Sequence, residues 1–96
     1  MAQHMIYAFC ICRTKPNLQK LNPDDSIFSI HYPSLHVVAR NVSEDEFGEQ
    51  KIKENLLDME WVKTKAFFHE RVIETVMKST CVIPFKFATM FCTEDN

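Results

Sequence analysis

The segment that most constrains the fold runs from Met59 to Phe91 and changes its hydrophobic period once, from helical to extended. Its first part, Met59 to Lys78, repeats apolar residues at spacings of three and four, which predicts one amphipathic helix. The stripe is Val62, Ala66, His69, Ile73 and Val76, flanked by Trp61, Phe68 and Val72. The second part, Cys81 to Phe91, is apolar and aromatic and predicts a strand that follows at once.

The alternation of side chains along the predicted strand indicates which residues meet the helix. One face is expected to carry Cys81, Ile83, Phe85, Phe87, Thr89 and Phe91. We therefore predict that the helix packs across the sheet with Ile83, Phe85 and Phe87 beneath or beside it. Pro84 cannot donate to a strand ladder, so it is expected at a bulge or on an edge.

The first half of the chain supplies the rest of the sheet. The apolar run Ile6–Cys12 predicts a central strand, whereas Arg13 to Asp25 is polar and predicts a loop with a turn at Asn22–Ser26. Two short strands, Ile27–Tyr32 and Leu35–Arg40, form a hairpin around Pro33 and Ser34. On the second of them one face is apolar (Leu35, Val37 and Ala39) and the other mixed (His36, Val38 and Arg40), which favours a sheet with one packed and one partly exposed face.

A helix start follows the hairpin. Ser43 and Glu46 have the spacing of a capping box, in which each side chain bonds the other residue's backbone N–H. The helix is expected from about Glu44 to Leu57, and Gly48, the single glycine of the chain, marks a break within it.

The order strand, strand, strand, helix, helix, strand predicts an α+β fold. We expect a modified ferredoxin-like sandwich with a mainly antiparallel sheet of about four strands and the helices on one face. Residues 1–4 are interpreted as a vector remnant and residues 5–96 as a single domain. The ending Thr93-Glu-Asp-Asn96 is typical of a helix start, so we interpret the chain as the N-terminal domain of a longer, two-domain protein.

Composition excludes several classes of function. A formal net charge of −2 among 96 residues gives no basis for binding nucleic acid or an anionic membrane. The chain has no uncharged apolar run of the roughly 18 residues that a bilayer span needs. A single glycine is too few for a phosphate-binding loop. We expect no cofactor.

The cysteines and histidines are the candidates for chemistry. Cys10, Cys12, Cys81 and Cys92 are predicted to be unpaired thiols in an intracellular protein, because three of them lie in predicted strands. Cys10 and Cys12 share a strand face and have the types of zinc ligands, but packing is the favoured reading.

The histidines are interpreted as non-catalytic. His31 and His36 lie on different strands, with no carboxylate nearby in sequence. His69 is expected in the core with one ring nitrogen bonded to a backbone carbonyl or hydroxyl, in preference to a binding role or a catalytic pairing with Cys81 or Cys92. Trp61 is expected in the core in preference to an interface. No catalytic or metal site is predicted.

The same residues resemble a known family. Asp58-Met-Glu-Trp61, His69 and the run Val82-Ile-Pro-Phe-Lys-Phe-Ala-Thr-Met-Phe91 occur in the order found in the gas vesicle L/F family (GvpL/GvpF). The motif residues are Trp61, His69, Pro84, Phe85, Lys86, Phe87 and Thr89, and we expect most of them to hold the fold. Ala88 stands where the family usually has glycine, which suggests ordinary strand dihedrals at that position.

The resemblance implies a cytoplasmic, gas vesicle-associated accessory protein that binds other vesicle proteins, including the main shell protein, as an assembly factor or minor shell component. It implies no enzyme, no nucleic acid and no membrane, and it leaves self-association open. Lys86, Glu60 and Lys63 are the candidate partner-binding residues. The alternatives are a ferredoxin-like regulatory or small-ligand-binding module and a cysteine-dependent enzyme that uses His69.

Overall fold

The computed structural model describes residues 3–21 and 25–94, with side chains described between Met5 and Phe91. Within these residues it contains five strands and three helices. They are β1 (Gln3–Cys12), β2 (Ile27–Tyr32), β3 (Leu35–Val42), α1 (Glu44–Phe47), α2 (Glu49–Asn55), α3 (Met59–Met77), β4 (Val82–Pro84) and β5 (Met90–Glu94). Residues 1–4 are interpreted from the sequence as a vector remnant outside the fold, but the backbone of Gln3 and His4 continues β1 and pairs with β5. The predicted turn at Asn22–Ser26 has its residues 22–24 outside the described part.

The strands form one antiparallel sheet with β1 at its centre. β3 pairs with β1 along one edge and with β2 on its far side, while β4 and β5 pair with the other edge of β1. This is the predicted α+β, ferredoxin-like arrangement. The described residues 13–21 after β1 form an irregular segment where that fold usually has a helix. Leu21 is buried and anchors this segment to the core.

The last strand differs from its prediction as one continuous element. β4 pairs with residues 10–12 of β1 and β5 with residues 3–7, so both follow the same edge. Between them the chain leaves the ladder in a turn closed by a hydrogen bond from the Thr89 N–H to the Lys86 carbonyl, at 3.2 Å. Ala88 has a φ of 67° in this turn, so the expectation of ordinary strand dihedrals at that position was wrong. A φ of this sign at the third residue of a turn is typical of type II geometry, which favours glycine.

The helices follow the sequence signals closely, with one exception. The break at Gly48 is confirmed, because α1 ends and α2 begins at this residue. Glycine is needed there, since a Cβ would lie 2.5 Å from the Glu44 carbonyl oxygen. Asp58 caps α3 by accepting hydrogen bonds from the N–H groups of Glu60 and Trp61. Ser43 is the N-cap of α1 as expected, but neither side-chain bond of the predicted capping box forms. Ser43 Oγ accepts from the Asp45 N–H at 3.0 Å instead of the Glu46 N–H, and the Glu46 carboxylate binds the Trp61 indole.

A bulge in β1 decides which side chains face the helices. Ala8 pairs with Ala39 and Cys10 with Val38, so Phe9 is an extra residue on β1. The bulge places Phe9 and Cys10 on the same face, together with Tyr7 and Cys12. The helices cover this face. On β3 the residues that pair with it are His36, Val38 and Arg40, the set with mixed polarity. The apolar set of β3 therefore lies on the face away from the helices, which the hydrophobic pattern alone does not predict.

The core lies between α3 and the covered face. The α3 residues buried there are His69, Val72, Ile73 and Val76, so the second half of the predicted stripe is confirmed and the flanking Val72 joins it. In the first half, Val62 and Ala66 are only half-buried. Phe87 packs against the core as predicted. Ile83 does not, because its side chain is 68% exposed on the opposite face. The ring of Phe85 lies near that of Phe91, which is half exposed, so the prediction for Phe85 was also wrong.

Candidate partner-binding region around the Tyr7–His69 network

His69 is buried on α3 and both of its ring nitrogens have partners. Nδ1 lies 2.8 Å from the hydroxyl of Tyr7, and Nε2 lies 3.0 Å from the carbonyl oxygen of Phe85. A carbonyl only accepts, so Nε2 carries the hydrogen and Nδ1 accepts from Tyr7. The predicted core role of His69 is therefore met with two hydrogen bonds instead of one.

The Tyr7 hydroxyl connects the histidine to the turn between β4 and β5. Its oxygen accepts from the Ala88 N–H at 2.9 Å while its hydrogen is donated to His69. Burial raises the pKa of Tyr7 to about 12, and the Ala88 hydrogen bond opposes that rise. The chain of bonds runs in one direction from the Ala88 N–H through Tyr7 and His69 to the Phe85 carbonyl. It closes the turn onto β1 and α3 and leaves neither histidine nitrogen free to activate a thiol.

Phe87 fills the space between the network and Trp61. Its ring centroid lies 6.0 Å from that of His69 and 6.5 Å from that of Trp61, both at steep interplanar angles. The structure thus brings three motif side chains, those of Trp61, His69 and Phe87, to one place, and Phe85 joins them only through its carbonyl. Pro84 pairs with Cys10 at the start of the same segment, and Thr89 Oγ1 donates to the Lys86 carbonyl at 2.7 Å.

Trp61 is half-buried and its indole N–H donates to Glu46 Oε2 at 2.7 Å. Lys65 Nζ binds the same oxygen at 2.8 Å. Burial alone would raise the pKa of Glu46, but hydrogen bonds from Lys65 and Trp61 and the charges of Lys65 and Arg40 outweigh it, and the pKa is lowered. Core packing of Trp61 was predicted, and its ring does contact Phe47 and Phe87. The Glu46 carboxylate at the edge of the indole joins α1 to α3. No spacing in the sequence predicts that Glu46 and Trp61 meet.

The three candidate partner-binding residues are all exposed. Glu60 and Lys63 lie on the first turns of α3, on either side of Trp61 in sequence, and Lys86 begins the turn that the Tyr7 network holds. Lys86 differs from the other two because it lies in a turn whose Ala88 N–H is held by the buried Tyr7 hydroxyl, while its own side chain is exposed. The turn therefore presents a cation from an ordered backbone.

Two of the described cysteines, Cys10 and Cys12, are buried packing residues, whereas Cys81 is exposed. Cys10, Cys12 and Cys81 are free thiols, as predicted, whereas the side chain of Cys92 lies outside the described part. Burial, with the neighbouring Cys12, raises the pKa of Cys10 to about 12, so the thiol is a poor nucleophile at neutral pH. Among the described residues no group of three or more His, Cys, Asp or Glu side chains could hold a metal ion.

Two further features have a signal in the sequence. A tyrosine in a central strand, such as Tyr7, needs a buried partner for its hydroxyl, and His69 on the apolar stripe is the available one. His31 and His36 were treated as separate, yet they pair directly across β2 and β3, with their Nδ1 atoms 3.4 Å apart. The two-residue hairpin predicted at Pro33 and Ser34 was sufficient to place them opposite one another.

A family model for gas vesicle synthesis proteins of the GvpL/GvpF type matches residues 5–96. The chain belongs to the GvpL/GvpF family. This membership associates the chain with gas vesicle synthesis, a structural and assembly process. No curated protein and no solved structure matches the chain. In the part of the chain that the structure describes, none of the helices has the length and apolar character required to cross a membrane.

Proposed function

We propose that this GvpL/GvpF-family chain acts in gas vesicle formation by binding other gas vesicle proteins, including the main shell protein. On this account it is a cytoplasmic assembly factor or a minor shell component and catalyses no reaction. The observation that carries the proposal is the closed Tyr7–His69–Phe85 network, since it commits the buried His69 to holding a surface turn in place.

The proposed contact region consists of Lys86, Glu60 and Lys63, which we call the charged rim. A recognition surface benefits from side chains whose backbone is already ordered, because less conformational entropy is lost on binding. The Lys86 turn meets that condition through the hydrogen bonds of Ala88 and Thr89. Charges at the rim of an interface mainly set specificity and the association rate.

The small-ligand alternative has one sizeable described cavity that several elements line, an open depression of about 360 Å³ that includes Ile11, Leu35 and Ile83. Its mainly apolar lining offers a small ligand few polar partners. An open groove of about 820 Å³ runs along α3, but its lining residues all belong to that one helix. Ligand pockets are usually concave sites enclosed by several elements. Beneath it, the space between Tyr7, Phe9 and Phe68 measures only about 20 Å³, enough for one water molecule.

The test is co-expression of the full-length protein with the other gas vesicle proteins, followed by capture through a tag. Wild type should retain at least one gas vesicle protein, and Lys86→Glu should retain severalfold less. Lys20→Glu is the matched control, because it reverses the same exposed charge in the irregular segment after β1. Capture of no vesicle protein by wild type would contradict the binding role. Equal capture by both variants would instead refute only the charged rim.

A further inference from the structure

The face of the sheet that the helices leave open carries rows of apolar side chains. Residues paired across strands point to the same face, so the register assigns each row. One row crosses four strands and consists of Ile83, Ile11, Val37 and Ile30. The neighbouring rows are Ala8, Ala39 and Phe28, then Phe91, Ile6 and Asn41, with Leu35 opposite Tyr32 at the hairpin end. We call these residues the open face.

The open face carries no charge among the strand residues whose side chains are described. Its polar atoms are the amide of Asn41 and the hydroxyl of Tyr32. Ile83 is 68% exposed and Phe91 50% exposed, and most of the other large members are partly exposed. A continuous, partly exposed apolar surface of this kind often marks an interface.

The size of the open face suits a modest but specific interface. Four strands about 4.8 Å apart and about seven residues of about 3.3 Å rise give a footprint of roughly 20 by 23 Å. Side chains make the accessible surface larger than this flat footprint. Covering one open face on each of two copies therefore removes on the order of 1,200 Å² of accessible surface from water, the lower end of the range for stable complexes.

We propose that the open face pairs with the open face of a second copy of this chain, sheet against sheet, about a two-fold axis. An uncharged apolar surface is complementary to itself, because a two-fold contact brings no like charges together. Two sheets pack in this way at about 10 Å separation, with their side chains interleaved as in a β-sandwich. The open face is continuous across four strands, which a single docked peptide or helix would cover only in part. The proposal does not depend on the charged rim or on the proposed function.

Sedimentation equilibrium of the 96-residue chain tests the pairing. Wild type should form a reversible dimer that dominates at about 1 mM protein, as expected for an interface of this size. Ile83→Glu should weaken the dimer at least about tenfold, because it places an unpaired carboxylate in the apolar row that the contact covers. Phe67→Glu is the matched control, since Phe67 is 71% exposed on α3, away from the open face. A wild-type chain that stays monomeric, or a dimer lost with Phe67→Glu and kept with Ile83→Glu, would overturn the proposal.

A second measurement decides the case in which Ile83→Glu perturbs the fold. A mixed sample of isotope-labelled and unlabelled wild-type chains reports only contacts between copies. We expect intermolecular methyl NOEs at Ile30 and Ile83. Intermolecular NOEs confined to residues of α3 would assign the dimer to the helical side and overturn the proposal.

Discussion

The two faces of this sheet differ in composition and in burial: the face that contains polar residues is buried, and the apolar face is partly exposed. The covered face includes Tyr7, Cys10 and Arg40 alongside its apolar residues, and it is sealed by α3 and α1. The open face is almost purely apolar and has no described helix over it. A polar group can be buried when it has a partner, and Tyr7 and His69 supply each other's. Hydrophobic pattern alone therefore identifies a face that must be covered, but not whether the chain's own helices cover it.

The largest expected effect is on stability, when a phenylalanine is replaced by alanine on one face or on the other. Phe9→Ala removes a fully buried ring between Tyr7, Phe68 and His69 and should lower the free energy of unfolding by about 3–5 kcal/mol. Phe91→Ala, on the open face, should cost less than about 1.5 kcal/mol, because half of the ring already contacts water. Urea unfolding at low protein concentration measures both. Equal losses would show that the two faces are not distinct.

The next effect tests the buried network. Tyr7→Phe keeps the ring but leaves His69 Nδ1 and the Ala88 N–H without partners, which should cost about 1–3 kcal/mol. Tyr32→Phe removes a hydroxyl from an exposed ring on the open face and should change stability by less than about 0.5 kcal/mol. If thermal and urea unfolding found Tyr7→Phe as stable as wild type, the network would be unnecessary for the fold.

Alkaline pH tests the role of the Tyr7 hydroxyl in a second way. The folded pKa of Tyr7 is raised to about 12 from an ordinary value of 10.0, so its contribution to stability is complete below pH 10 and lost as the pH rises toward 12. Cys10, with its pKa raised to about 12, adds a loss of the same sign. Stability measured from pH 9 to pH 12 should fall less steeply in Tyr7→Phe than in wild type. Identical slopes in the two proteins would contradict the assigned role of the hydroxyl.

The smallest effect concerns the turn that joins β4 to β5. Ala88 has a positive φ, which costs an L-residue about 1–2 kcal/mol and glycine very little. Ala88→Gly should therefore stabilise the protein by about 0.5–1 kcal/mol, after the larger entropy loss of glycine is subtracted. Ala66→Gly on α3 should instead destabilise it by about 1 kcal/mol. A destabilising Ala88→Gly would indicate that the turn is not strained.

Local signals predicted the helices and the fold class well. The Gly48 break and the hairpin at Pro33 and Ser34 each depend on neighbours in sequence and are confirmed, and the α3 stripe is confirmed in its second half. Trp61, His69 and Phe87 of the motif come together in space, although the sequence offered only their order.

What the sequence could not predict depends on distant partners. The Phe9 bulge is coupled to a hydrogen bond from the Phe85 N–H to the Phe9 carbonyl, and the Ala88 turn to the Tyr7 hydroxyl. These bonds join residues more than seventy positions apart, so no local period reveals them. Once the bulge reverses the alternation of β1, the assignment of faces along β3, β4 and β5 changes with it.

The most direct test of the central claim, that this chain supports gas vesicle formation by binding and not by chemistry, is deletion of its gene in the native host. Electron microscopy of the deletion strain should show few or no gas vesicles. The wild-type gene should restore them, and so should Cys81→Ser and Cys92→Ser variants, which lack the candidate nucleophiles but keep the charged rim. Normal gas vesicles in the deletion strain would contradict the account.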